Sequence, residues 1–299
     1  MEIQRGLSLH MENSALSLGK FDAIHRGHRL LLKEILQPGN GVPTVFTFER
    51  NPGETERYIY SQQEKNHLLQ DLGVVREVLF PFDEETKSML PEKFIDEILW
   101  KKMDVRFICV GEDFRFGRNR EGDVELLRRA CEKHGCRLKV YNKLADERGI
   151  ISSTRIRNLL QGGDVEKANA LLGTPFFFLG EVVHGEALGR SLQIPTANLI
   201  PAPEKILPQL GVYTSRITVQ GKRYGGVTNI GKKPTVGGTR VGVETSIFDF
   251  DREIYGEEIK VELLKFQRPE QKFPDMEALR TQMEKDLTDA KNYMEHCLL

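Results

Sequence analysis

Hydrophobic positions in the first half of the chain follow two alternating rhythms. Short apolar runs, "NSALSL", "PTVFTFE", "REVLFPF" and "VRFICVG", have the β-branched and aromatic content of buried parallel strands. Between and after them lie amphipathic stretches with helical spacing: "HRGHRLLLKEIL", "SQQEKNHLLQDLG", "LPEKFIDEILWKKM" and "GDVELLRRACEKHG". Ser61 and Glu64 are placed as a capping box for the second of these, Gly73 as its stop, and Gly135 as the stop of the fourth. "RLKVYNKL" closes the series. Alternation of this kind predicts a parallel sheet with helices on both faces and ligands outside the carboxyl ends of the strands. "LGKFD" and "VGEDFRFG" both follow such strands, so two loops are expected to converge on one site.

After "STRIRNLLQGGDVEKANALLGTP" the pattern changes. Short β runs split by Gly, Pro and Asn follow: "FFFLGEVVHG", "GVYTSRITVQGKRYGGVTNIG", "VGVETSIFDF" and "EEIKVELLKF". Their close spacing predicts a small antiparallel barrel, with "VQGKRY" a hairpin carrying glycine at its turn. In the last stretch Met276, Leu279, Met283, Leu287 and Ala290 share one helical face, with Asp275 as N-cap, and that face should pack on the barrel. The change falls at Thr174–Pro175, which predicts domains 1–175 and 176–299.

A length of 299 residues suits two such domains. Lys plus Arg number 43 against 44 Asp plus Glu, a balance that argues against a general nucleic-acid binder. Cys109, Cys131, Cys136 and Cys297 form no CxxC pair and read as free thiols of a reducing cytoplasm. Residues 1–20 lack the apolar core of a signal peptide, and no run approaches the roughly 18 apolar residues of a membrane span. A cytoplasmic protein with no membrane partner is expected.

The candidate chemistry begins at "GKFDAIHRGH", where His25 and His28 flank Gly27 at a helix start. A glycine inside a helix costs about 1 kcal/mol relative to alanine. Here it has a use, because it lets a ligand approach a backbone terminus already suited to anions. On residues alone the pair is equally two partly exposed histidines or half of a zinc site, although further ligands at suitable spacing are not evident. Strand, loop and helix together favour a phosphate, whose transfer needs mainly positioning and charge stabilisation. Ser153 and Thr154 in "SSTRIR" offer hydroxyls and N–H groups to phosphate, and a simple N-cap explains them as well. In "IPTANL", Thr196 and Asn198 carry oxygens suited to a hard cation such as Mg²⁺. Gly185, Gly189 and Arg190 precede them in a polar loop able to cover phosphates. Glu244 alternates with Val243 and Thr245 along a strand and by itself is a surface glutamate. Phe114 and Phe116 by themselves read more readily as core residues than as ring contacts, and Arg268 as readily as a solvated charge as a ligand contact.

"GKFDAIHRGH" resembles the HxGH signature of adenylyl-transferring nucleotidyltransferases. With "VGEDFRFGRNREGD" and "ISSTRIRNLL" it is similar to the N-terminal module of bacterial FAD synthetases. "VVHGEALGRSLQIPTANL" and "GGVTNIGKKPT" resemble the riboflavin kinase module fused to it in the same family. These motifs stand in the family's order over nearly the whole chain. The resemblance implies an α/β, Rossmann-like nucleotidyltransferase domain with a parallel sheet, then a small antiparallel β-barrel (riboflavin kinase-like) domain with a C-terminal helix. It implies transfer of AMP from ATP to FMN, giving FAD and pyrophosphate, and phosphorylation of riboflavin to FMN, both with Mg²⁺. ATP, FMN and riboflavin would be the partners, with no nucleic acid and no membrane.

Carried over by position, His25 and His28 grip the ATP phosphates and stabilise charge as pyrophosphate leaves. Gly19, Phe21, Asp22, Gly27, Ser153, Thr154 and Arg157 surround the nucleotide. Asp113, Phe114, Phe116 and Arg268 meet the flavin, and Arg115 a phosphate. In the second module Gly185, Gly189 and Arg190 cover phosphates, Thr196 and Asn198 hold Mg²⁺, and Glu244 takes the proton of the ribityl hydroxyl. The chain departs from the family at Arg50 and Asn51, where a Pro-His-Pro element is usual, so a nucleotide-holding histidine is missing. In "LQIPTAN", Gln193 replaces a glycine and Ile194 an aromatic. Two other readings stay open: a FAD synthetase whose second domain is a degenerate flavin-binding kinase, and a non-catalytic flavin-binding regulator.

Overall fold

The apolar runs of the first half form six parallel strands: β1 (Glu2–Arg5), β2 (Ser14–Leu18), β3 (Val42–Phe48), β4 (Arg76–Phe80), β5 (Val105–Gly111) and β6 (Arg137–Tyr141). Their order is β1-β4-β3-β2-β5-β6. This computed structural model describes residues 1–49, 57–184, 196–235 and 238–297, and divides into the units Met1–Ser152 and Ser153–Leu299. Every residue of β2 is buried, as befits a central strand covered on both faces. The chain winds outward from β2 through β3 and β4, then returns to place β5 on its other side. That reversal is a topological switch point, where the loops after β2 and β5 diverge and where open sheets of this class bind their ligands.

Helices α1 (Arg26–Ile35), α2 (Gln62–Asp71), α3 (Glu84–Lys87) and α5 (Val124–His134) connect these strands, with the short α4 (Pro91–Lys93) before β5. The capping box on α2 is made in full: Ser61 Oγ accepts from the Glu64 N–H at 3.2 Å, and Glu64 Oε2 accepts from the Ser61 N–H at 2.8 Å. Gly73 (φ 92°) and Gly135 (φ 67°) leave their helices in the left-handed region, as stop residues do. One element differs from its sequence pattern. α4 continues as a π-helix, Phe94–Lys102, where an ordinary helix is expected. The wider i→i+5 winding brings Phe94, Ile95, Ile98, Leu99 and Met103 to the buried side, where they join the core of the first unit. A two-stranded hairpin, β7 (Ala145–Asp146) and β8 (Gly149–Ile150), ends this unit.

The second unit opens with α6 (Ser153–Gln161) and α7 (Val165–Leu172). Its sheet comprises β9 (Phe176–Glu181), β10 (Thr196–Leu199), β11 (Gly211–Val219), β12 (Lys222–Thr235), β13 (Gly238–Ile247) and β14 (Glu258–Pro269), in the order β10-β13-β12-β11-β14-β9. All pairings are antiparallel. The sheet curls until its edges meet: the Val183 N–H, just beyond β9, donates to the Asn198 carbonyl of β10 at 2.9 Å. The hairpin in "VQGKRY" turns on Gln220 (φ 48°) and Gly221 (φ 76°), the paired positive φ of a type I′ turn. α8 (Met276–Cys297) packs on β11 and β12, starting from Asp275, whose Oδ1 accepts from the Ala278 N–H at 2.8 Å. Ala290 is buried in this packing, whereas Met276, expected on the same face, is 51% exposed in the first turn. A polar anchor adds to this packing: Arg268 of β14 donates to both carboxylate oxygens of the buried Asp286, the shortest contact being 2.6 Å.

Helices α6 and α7 pack with the barrel. Asn169 joins them, its Nδ2 donating to the Leu263 carbonyl at 2.8 Å while its Oδ1 accepts from the Phe176 N–H at 2.7 Å. Ile156, Leu160, Val165, Ala168, Leu171 and Leu172 are buried around this junction. No described helix is long and apolar enough to cross a membrane. A fragment of residues 153–299 is therefore expected to unfold cooperatively on heating. A fragment of residues 176–299 should melt lower or without a cooperative transition, because the apolar cover from α6 and α7 is gone. Differential scanning calorimetry of the two checks this, and equal transitions would show that the helices contribute nothing to the barrel.

Candidate active sites

The loop after β2 enters α1 through His25. A histidine occupies the N-cap, with extended backbone (φ −70°, ψ 173°), and its Nδ1 accepts from the His28 N–H at 3.3 Å. The ring thus does what a Ser or Asp oxygen does at ordinary caps. Because Nδ1 is the acceptor, the neutral ring carries its proton on Nε2, which is left to donate elsewhere. His28 stacks on it with ring centroids 3.8 Å apart and planes 13° from parallel. Its Nδ1 is buried and has no hydrogen-bond partner among the described residues. The N–H groups of Arg26 and Gly27 have no acceptor within the helix at this end, so four donors gather on one helix start.

Gly27 has a steric reason. A Cβ there would lie 3.1 Å from His25 Cε1 and 3.2 Å from its Nδ1, so any other residue would push the folded-back ring away by a few tenths of an ångström. The loop is also held in an unusual backbone. Phe21 (φ 49°) and Ile24 (φ 44°) are both buried and both left-handed, a conformation costing non-glycine residues about 1–3 kcal/mol each. The Phe21 ring lies 5.1 Å from that of His28. Asp22 is buried, and its Oδ1 accepts from the Ile59 N–H at 2.8 Å. It ties the loop to the chain entering α2.

Burial sets the charge of the two imidazoles. It pushes His25 down to about 4, only partly offset by its own backbone hydrogen bond. It holds His28 well below its ordinary value, reinforced by the nearby charges of His25 and Lys65. Both rings are neutral donors at pH 7, suited to phosphate oxygens without carrying charge of their own.

The loop after β5 lies across the switch point. Phe114 and Phe116 stack with centroids 5.6 Å apart. Phe116 is buried against Phe94 at 5.6 Å, and a Cβ on Gly122 would strike its ring at 2.8 Å, so its faces are used inside the protein. Phe114 is the half-exposed outer ring. Asp113 pairs with Lys143 at 2.9 Å, and Arg115 donates to the Phe114 carbonyl. Ring contacts continue from Phe116 through Phe94 to Phe46 and Phe48, and Phe48 meets Phe82 at 5.0 Å. Phe48 and Phe82 are each 38% exposed at the carboxyl ends of β3 and β4. Sequence reading passed over both; the signal was an aromatic closing each strand in "VFTF" and "LFPF".

In the second unit Ser153, Thr154 and Arg157 lie in the first turns of α6. On the barrel, β10 and β12 flank β13 so that Asn198 and Asn229 both stand opposite Glu244. Paired residues of neighbouring antiparallel strands share a face. Thr196, two positions before Asn198, donates its hydroxyl to Glu244 Oε1 at 2.8 Å. Asn229 was not singled out from sequence, although it lies in the "TNIG" stretch beside Glu244. Arg268 is engaged by Asp286 and fastens α8. Gly185, Gly189, Arg190, Gln193 and Ile194, with Arg50 and Asn51, lie outside the described residues.

Comparison with known proteins covers both units. A FAD synthetase family model matches residues 8–155 and a riboflavin kinase family model residues 172–294. The chain is 36% identical over 292 residues to a protein of Escherichia coli (strain K12), covering 94% of this chain and 93% of that one. It is 35% identical over 294 residues to a Bacillus subtilis (strain 168) protein, covering 94% and 92%. Both relatives are named "Bifunctional riboflavin kinase/FMN adenylyltransferase". A solved structure titled "Crystal Structure of Macrolide-efflux Protein from Streptococcus pneumoniae" superposes with a TM-score of 0.84 and 29% identity, covering 96% of this chain and 97% of that one.

The depressed His25 pKa has a consequence for stability. Between pH 6.5 and about 4 the unfolded chain's imidazole is protonated while the folded one is not. The unfolded state then binds more protons, so stability rises with pH and is lost as pH falls through this window. The full shift corresponds to about 3 kcal/mol. Urea denaturation at pH 7 and pH 4.5 should show a smaller acid loss for His25→Asn, which keeps a capping side chain without the imidazole. Equal losses would place the titration elsewhere.

Proposed function

The chain belongs to the bifunctional riboflavin kinase/FMN adenylyltransferase family, and from that premise we propose which of its residues carry the two reactions. It serves FAD biosynthesis: one activity phosphorylates riboflavin to FMN, and the other transfers AMP from ATP to FMN. The observation that carries the residue assignment is the histidine cap. A stacked pair of neutral imidazoles at a helix start, beside a switch point, is built for a polyphosphate.

In adenylyl transfer a phosphate oxygen of FMN attacks the α-phosphorus of ATP, and the bond to pyrophosphate breaks. The nucleophile is already an anion, so the protein has little proton work to do and mainly orients and stabilises charge. His25 Nε2–H, the His28 ring and the free N–H groups of Arg26 and Gly27 donate to the phosphate oxygens as charge passes to the leaving group. Gly19, Phe21, Asp22 and Gly27 shape the loop around the nucleotide, and Ser153, Thr154 and Arg157 keep the phosphate-binding role that the family resemblance implies for them. The exposed rings of Phe48, Phe82 and Phe114 offer apolar faces to an isoalloxazine, a role for which Phe116 is less suited because its ring is packed inside. Asp113 borders the same loop.

In the kinase step the ribityl hydroxyl attacks the γ-phosphorus of ATP and ADP leaves. Glu244 accepts the hydroxyl proton, and the hydrogen bond from Thr196 holds its carboxylate in place. Thr196 and Asn198 are hard oxygen donors sharing one face of β10, a donor set that fits Mg²⁺, with the Thr196 lone pairs still available while its proton is given to Glu244. When bound, Mg²⁺ supplies charge neutralisation for the transferred phosphate. Gly185, Gly189 and Arg190 belong to this reading as phosphate cover. The functional boundary we assign falls at residues 175 and 176, and the setting is the cytoplasm, with ATP, FMN and riboflavin as partners rather than nucleic acid or membrane.

Two variants test the division of labour. His28→Ala should abolish FAD formation from FMN while riboflavin is still converted to FMN. Glu244→Gln should do the reverse, slowing FMN formation by about a hundred- to ten-thousandfold, the usual loss for a missing general base. Chromatography of flavin products from Mg-ATP with riboflavin, and separately with FMN, reads both. Loss of both activities in either variant would break the assignment.

A further inference from the structure

Lys65 lies on α2 and Glu77 on β4, and both side chains are almost wholly buried, with Nζ 3.3 Å from Glu77 Oε1. Sequence gives no hint of this, since a lysine in "QQEKNH" reads as part of a solvated helix face. A buried ion pair is weak evidence for stability, because desolvating two charges offsets most of their attraction. Its place in the fold supplies a different reason. Lys65 Nζ also donates to Thr47 Oγ1 at 3.3 Å, and the Thr47 hydroxyl donates onward to the Lys20 carbonyl at 3.2 Å. Two residues further along the same loop, Asp22 is held by the Ile59 N–H just ahead of α2. The chain around α2 therefore grips the loop on both sides of Phe21, the left-handed residue whose ring lies against His28.

We propose that Lys65 is a positioning residue for adenylyl transfer: through Thr47 it fixes the Lys20 carbonyl, keeps Phe21 in its strained conformation, and so holds the His28 ring in register with His25. Glu77 orients the ammonium, assisted by Gln62, whose Nε2 lies 3.3 Å from both carboxylate oxygens. Left-handed phenylalanine persists only where its surroundings over-determine it, and two tethers at its neighbouring residues meet that need. Lys65 also adds its charge to the burial and the His25 effect that keep His28 neutral. This inference rests on the assignment of His28 to adenylyl transfer.

The test separates geometry from folding. Lys65→Met alone leaves Glu77 buried and unpaired and is expected to destabilise the first unit. The double variant Lys65→Met/Glu77→Leu removes both charges together, and Thr47→Val cuts the relay while leaving the ion pair intact. Both should melt near wild type and phosphorylate riboflavin at the normal rate. Their kcat for FMN adenylylation should fall by about a hundredfold, the loss a displacement of about 1 Å can cause, with the KM for ATP little changed. Lys65→Arg should recover part of the loss. A Thr47→Val enzyme with wild-type kcat, or a double variant whose loss follows its melting temperature, would reduce Lys65 to a structural partner of Glu77. His28→Ala is assayed alongside: if that variant keeps full FAD formation, the histidine assignment itself has failed, whatever the Lys65 variants do.

Discussion

One hydrogen bond, from the His28 N–H to His25 Nδ1, organises the first site. It caps α1, decides which nitrogen of His25 bears the proton, and sets the two rings in a stack. Much of the surrounding structure serves that bond. Gly27 leaves room for the ring, Phe21 and Ile24 take strained backbone so that the loop turns into the helix at this point, and Asp22 ties the turn to the chain before α2. The central sheet contributes the frame. Because β2 is buried along its whole length, its carboxyl end is a fixed origin from which the loop departs.

The barrel reaches its site by different means. There the candidate side chains come from strands that are neighbours in space and distant in sequence, so register does the positioning that a loop does in the first unit. Asn198, Glu244 and Asn229 fall in line because β10, β13 and β12 pair without slippage, and a one-residue slip would turn Glu244 inward. The core beneath fixes that register. Thr228 and Thr245 share a buried hydrogen bond of 2.9 Å on the opposite face of the same two strands, and Val243 packs beside them.

The fold was legible in sequence to the extent that it follows from local pattern. The capping box at Ser61, the stops at Gly73 and Gly135, the turn at Gln220–Gly221 and the two classes of sheet are all written in short stretches. What escaped reading depends on contacts between distant residues. No periodicity announces that Lys65 and Glu77 will be buried together, or that Arg268 will meet Asp286 across a helix. The π-helix at Phe94–Lys102 shares its composition with an ordinary amphipathic helix and differs only in what it must pack against. The candidate site divides in the same way. Its motif residues could be picked out one by one, whereas the cap made by His25 and the open rings of Phe48 and Phe82 are properties of the assembled fold.

The joining of β9's continuation to β10 bears on how the protein behaves at high concentration. A sheet edge with unpaired N–H and C=O groups is a template for other chains, and the bridge from Val183 to Asn198 covers one such template on the strand that also carries Thr196. The parallel sheet cannot close on itself and defends its margins otherwise. β1 is only four residues long and charged at both ends, while β6 carries Arg137 and Lys139 on its exposed side. Both units thus discourage self-association through their strands, one by closure and the other by short length and charge. A substitution that opens the Val183–Asn198 seam would expose a sticky margin on the strand to which we assign Thr196 and Asn198, so aggregation and loss of the kinase activity assigned to it should arise together from a single lesion.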